Sequence, residues 1–226
     1  MDDYGPAHHA IVAHLLETGA APSLPVLAAR LGIGVDDTAS ALRRLEDVHG
    51  IVLHPGTVVP WVIHPFSLSP TATWVASGER GWWAPCTWCA FGIATLVGGR
   101  CTIHVRLGGE SEDIDIDVAD GRSLETDLVV HFAIRPRDAW NNVHHHCAMV
   151  LPFRSDADIG DWCERHGLPR GRAVPIAQVA ELARVWYGRH ADRDWRKWTV
   201  REAGALFRSV GLVDGFWELD EGEGRF

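Results

Sequence analysis

Apolar residues recur at helical spacing from the start of the chain. Pro6 opens a helix through Ile11, Leu15 and Leu16 to Gly19, Ser23 caps a second through Leu27 to Arg30 that Leu31-Gly32 closes, and a third runs from Asp36 through Leu42 and Leu45. Residues 51–54 and 58–63, parted by Pro55-Gly56-Thr57, then read as a two-stranded hairpin. Three helices and a hairpin predict a winged-helix-like module over residues 1–65. The Ser-, Thr- and Pro-rich stretch 66–80 reads as a linker, and residues 81–226 as a separate core.

In that core the period changes. Asp113-Ile114-Asp115-Ile116-Asp117-Val118 alternates strictly, and Gly108-Gly109 before it can turn the chain, so residues 101–107 and 113–118 are expected to pair as a hairpin with one wet face. Residues 128–134 and 147–153 are nearly continuous apolar runs, which predicts interior strands. The chain then turns helical. Ser155 with Asp158 and Thr199 with Glu202 are capping-box-like starts, and Ile176, Val179, Ala180, Ala183 and Trp186 lie at helical spacing. The fold class expected is α+β: the helical module, a mainly antiparallel sheet, and C-terminal helices.

Charge narrows the functions. The chain of 226 residues carries a formal −9, and its 21 Lys and Arg form no basic block. Within residues 1–65 seven acids stand against three bases, a net −4, so the winged-helix pattern has the wrong sign for phosphate contacts and no nucleic-acid partner is expected. No apolar run reaches membrane-spanning length, and the start, Met1-Asp2-Asp3-Tyr4, carries acids where a secretory leader carries bases, so a cytoplasmic protein is expected. Many of the 11 Trp cluster around Trp82, Trp83 and Trp88 and again at Trp186, Trp195, Trp198 and Trp217, where the plain reading is core packing.

The chemistry-bearing residues are the five cysteines, an odd and unevenly spaced set unlike a disulfide framework. Cys86-Thr87-Trp88-Cys89 is a C-x-x-C, and His144-His145-His146-Cys147 follows later; thiolate and imidazole together suit Zn, Cu(I) or Hg. A redox C-x-x-C wants a helix start in a thioredoxin-like setting, which the surrounding pattern does not supply. If the histidine run is strand-like, His144 and His146 share one side and His145 and Cys147 the other; if it is a loop, it is a solvated patch. Cys101 and Cys163 read as packing or surface thiols.

Trp88-Cys89-Ala90-Phe91, the stretch ending Leu96-Val97-Gly98-Gly99-Arg100, and Cys147 followed by Phe153 and Asp161-Trp162 resemble the organomercurial (alkylmercury) lyases. Trp186-Tyr187, Gly211-Leu212 and Phe216-Trp217 fit the same family, as does the N-terminal module. The resemblance implies that Cys89 and Cys147 are catalytic and bind mercury as a thiolate pair, that an acid protonates the leaving carbon, and that Hg(II) passes to cellular thiols. It implies an organometallic small-molecule substrate and no cofactor. The family's third catalytic residue, an aspartate or occasionally a serine three positions after the first cysteine, is here Gly92, and the segment from Cys89 to Arg100 is shorter than usual. Cys86, or one of His144, His145 and His146, would then supply the proton or a third ligand, the metal set being Cys89, Cys147, Cys86 and His146. Two alternatives stand beside the lyase: a soft-metal (Cu, Zn or Hg) binding protein without turnover, and a repurposed enzyme of specialised metabolism on the same fold.

Overall fold

A computed structural model describes residues 4–220 and Phe226; Asp2 and Asp3, which entered the reading of the N-terminus, lie outside the described residues. Three helices open the chain, α1 (Gly5–Thr18), α2 (Leu24–Leu31) and α3 (Val35–Asp47), each ending near where the sequence places its stop. Gly19 and Gly32 take left-handed φ of 74° and 68°, a conformation that glycine adopts without a Cβ penalty.

The hairpin that follows is not a free wing. Strand β1 (Val52–Leu53) pairs with β2 (Pro60–Ile63), and β2 turns through His64-Pro65 into β3 (Phe66–Ser67), which continues the sheet. Nor is 66–80 a bare connection, since it holds β3 and β4 (Trp74–Ser77), the latter paired with β5 (Arg80–Trp83). Strands this short carry too little alternation to stand out in a Ser/Thr/Pro-rich stretch.

The remaining strands of this sheet are β6 (Arg100–Arg106), β7 (Asp113–Ala119) and β8 (Arg122–Ser123), giving the antiparallel order β1-β2-β3-β5-β4-β6-β7-β8. The β6–β7 register explains the alternation: Cys101, Ile103 and Val105 face Val118, Ile116 and Ile114 on the buried side. Outside, Thr102, His104 and Arg106 bond Asp117, Asp115 and Asp113 at 3.0, 2.6 and 3.0 Å. A second antiparallel sheet has the order β10 (Val150–Phe153), β9 (Val129–Phe132), β11 (Arg172–Pro175).

Helix α4 (Thr87–Val97) is buried along Thr87 to Ala94 because it lies against the first sheet on one side and against α7 (Ile176–Tyr187) on another. The run 147–153, expected as one strand, is divided. Residues Val143–Ala148 form a short helix, α5, whose first turn is capped by the Asn142 side chain accepting from the His145 N–H at 3.0 Å, and only then does β10 begin. Helices α6 (Asp156–His166) and α8 (Val200–Ser209) complete the order, α6 capped by Ser155 and α8 by the reciprocal Thr199–Glu202 box.

One apolar core runs through the helical module and the sheet together, joining Ile11, Leu15, Leu42 and Leu45 to Ile63, Phe66 and Phe91. Trp82 Nε1 donates to the Leu15 carbonyl at 2.7 Å and the Arg80 guanidinium to that of Leu16 at 2.7 Å, so α1 is stitched to β5. Among the described residues no helix is long and apolar enough to cross a membrane.

Candidate metal centre and its cavity

Three segments far apart in the chain meet at the N-terminal end of α4. Cys89 sits in the first turn of that helix, Cys147 near the end of α5, and His64 in the turn between β2 and β3. The sulfurs of Cys89 and Cys147 and a ring nitrogen of His64 all lie within 4.8 Å of one another. Cys147 Sγ is 3.6 Å from His64 Nε2. Burial pulls the His64 pKa down to about 3, chiefly by desolvation with Lys197 adding to it, so the ring is neutral and its lone pair is free for a metal.

Cys86 is the N-cap of α4, its Sγ accepting from the Cys89 N–H at 3.3 Å. The C-x-x-C therefore does open a helix, contrary to the sequence expectation. Burial pushes the Cys86 thiol up, but hydrogen bonds from the Cys147 and Cys89 side chains and the Cys89 N–H outweigh it and hold the pKa well below the ordinary thiol value. Cys89 is pushed well above that value, by burial first and by its sulfur neighbours second. Cys147 is raised too, chiefly by Cys86.

The other expected ligands are placed differently. His146 is buried, but α5 is helical rather than extended, so His146 and Cys147 diverge around the axis, and His146 is outside the compact set of ligand atoms. His145 is exposed and His144 stacks on Trp61 at 4.0 Å. Cys101 and Cys163 are buried free thiols in other parts of the structure, at the start of β6 and in α6.

Position 92, one turn along α4 from Cys89, has no room for a side chain. A Cβ there would lie 2.8 Å from Tyr187 Cγ and 2.9 Å from Pro65 Cβ, with Cδ2 of the tyrosine ring closer still. The last residue of α7 thus fills the space beside Gly92, and its hydroxyl sits 3.5 Å from Cys89 Sγ. Burial and the neighbouring thiols push the phenol pKa well above its usual value, so Tyr187 keeps its proton.

A cavity of about 60 Å³ opens beside these groups, room for a few water molecules. Cys89, Cys147, His64 and Tyr187 form part of its lining, and Trp88, Trp140, Trp186 and Trp195 form much of the rest. The helical module contributes too: His8 of α1 stacks on Trp195 at 3.5 Å, and His49 stacks on Trp140 at 4.4 Å. Lys197 Nζ lies 4.3 Å above the Trp140 ring and donates to the His49 carbonyl at 3.4 Å, and burial lowers its pKa to about 7. Among the described residues no Asp or Glu side chain lines this cavity. Cys86 and Cys147 also border a second, larger groove, with His144 and Met149 in its wall.

Sequence reasoning missed His64 and Tyr187. His64 is one of 13 histidines, with no spacing to mark it. Tyr187 carried a faint signal, being one of only two tyrosines and a hydroxyl on the apolar stripe of a helix. The chemical capacity of the site is to bind one soft metal through two sulfurs and a neutral imidazole, beside a cavity lined largely by aromatic and imidazole rings.

The sequence model of a family described as alkylmercury lyase (MerB) matches residues 66–188. Among solved structures, one described as the mercury-bound form of MerB2 shares the fold at a TM-score of 0.61 and 18% identity, over 84% of this chain and 97% of that one. No curated protein matches the sequence.

Proposed function

Because the chain belongs to the alkylmercury lyase family, we propose that it cleaves the carbon–mercury bond of an organomercurial by protonolysis, with Cys89 and Cys147 as the thiol pair that takes the metal. The observation that carries this reading is the convergence of both sulfurs and a His64 nitrogen within 4.8 Å at the edge of an aromatic cavity. The balance is R–Hg–X plus two thiols giving R–H, Hg(II) held by two cysteine sulfurs, and HX. One thiol proton leaves with X and the other ends on carbon. Sulfur binding weakens the bond to carbon by donating into the metal, and the neutral His64 imidazole is placed to add a third ligand. The organic group occupies the chamber between Trp88, Trp140, Trp186 and Trp195.

In this reading Hg(II) leaves by ligand exchange with a small cellular thiol. The larger groove reaches Cys86 and Cys147, so an incoming thiol can approach from there, and Cys86 can take the metal during exchange. His146, buried in the cavity wall, shapes the chamber rather than holding the metal.

The experiment is incubation with phenylmercury and excess thiol, following benzene and Hg(II). Benzene formation by the wild type, abolished in Cys89→Ala and Cys147→Ala, supports the lyase. A second reading has its own observation, the absence of an Asp or Glu side chain among the described residues lining the cavity: the protein would bind a soft metal without turnover. One equivalent of phenylmercury retained with no benzene would favour it.

A further inference from the structure

Heterolysis of a carbon–mercury bond leaves an electron pair on carbon, and a proton must meet it in the cavity beside the two sulfurs. We propose that Tyr187 is the catalytic residue that delivers this proton, relaying it from the Cys89 thiol; the proposal rests on the lyase reading above.

The geometry has three independent parts. The Tyr187 hydroxyl lies 3.5 Å from Cys89 Sγ, so a proton can pass between the two atoms without rearrangement of either helix. Tyr187 is buried and lines the same cavity as both metal-binding sulfurs, the space that the organic group occupies in the lyase reading while mercury is held by Cys147. Its position is also fixed: the ring packs into the space left by Gly92, beside Pro65, and lies 5.6 Å from the Trp88 ring and 4.9 Å from the His190 ring. A side chain at position 92 would displace the tyrosine. Gly92 and Tyr187 are therefore one structural feature, the missing side chain of one making room for the hydroxyl of the other.

The step conserves atoms and electrons. The carbon–mercury pair becomes the new C–H bond with the proton from the Tyr187 hydroxyl. The phenolate oxygen takes the Cys89 proton while the Cys89 sulfur pair forms the second Hg–S bond. Tyr187 ends as it began, and no oxidant or further reagent is needed. Cys86 is less well placed for this task, because its sulfur is turned to the α4 N-terminus and caps the Cys89 N–H.

Tyr187→Phe keeps the ring and removes only the hydroxyl, so packing beside Gly92 is preserved. Thermal melting and the stoichiometry of phenylmercury binding are read first, and both are expected to match the wild type. Single-turnover benzene release is then expected to fall about 100-fold or more, the usual worth of a positioned acid. Benzene release within threefold of wild type would overturn the assignment and leave the lyase reading standing. Loss of phenylmercury binding together with turnover would also overturn it, since the hydroxyl would then act in binding. No benzene from the wild type would overturn the lyase reading and this proposal together.

Discussion

Gly92 shows how much one absent side chain can decide. A Cβ at this position meets the Tyr187 ring and Pro65 at distances that real contacts do not reach, and neither a packed aromatic ring nor a proline ring can step aside cheaply. Gly92→Ala is therefore expected to cost about 1–3 kcal/mol, as overpacking of a full core does. Urea denaturation checks it, and an alanine variant as stable as the wild type would mean that the ring is not held where the structure puts it. At this scale the two cysteines that meet in the candidate site could be singled out from the sequence, because Trp88-Cys89-Ala90-Phe91 and Cys147 are contiguous signals. His64 and Tyr187 were not. They contact those cysteines across 83 and 98 residues of chain, and no local pattern records a contact made by folding.

Elements with a full period could be read from the sequence, and those without one could not. The six-residue alternation in β7 and the apolar stripe of α7 specify their faces over many residues. Helix α5 was misread because its cysteine adjoins an apolar run, and the Asn142 cap that starts the helix outweighs the strand-like composition beyond it. The C-terminal capping box offers a pH test. The Glu202 carboxyl is held down to about 2, first by its hydrogen bonds with Arg196 and then by the Thr199 N–H. A carboxyl depressed on folding stabilises above its unfolded pKa, and that contribution is lost as pH falls from about 4.5 toward 2. Glu202→Gln should therefore flatten the fall in melting temperature over this window; an unchanged acid limb would contradict the link. The same helix matters to the site, because Phe207 stacks on Trp186 at 5.5 Å, one residue before Tyr187.

Across the whole molecule, the helical module and the sheet do not behave as separate bodies joined by a linker. They share one core, α1 is bonded to β5, and His8 and His49 form part of the cavity wall. The loss of either part would remove a wall of the cavity. We expect heat unfolding followed by tryptophan fluorescence and by far-ultraviolet circular dichroism to coincide in one transition; two resolved transitions would show that the module is energetically independent.

The account turns on two sulfurs taking one mercury atom as its carbon is released. X-ray absorption at the mercury edge, on the equimolar complex formed from phenylmercury, reads both facts at once. The prediction is two sulfur neighbours per mercury and no remaining carbon in the wild type, with carbon retained and one sulfur in Cys147→Ala. A wild-type spectrum showing one sulfur with the phenyl carbon still attached would contradict it.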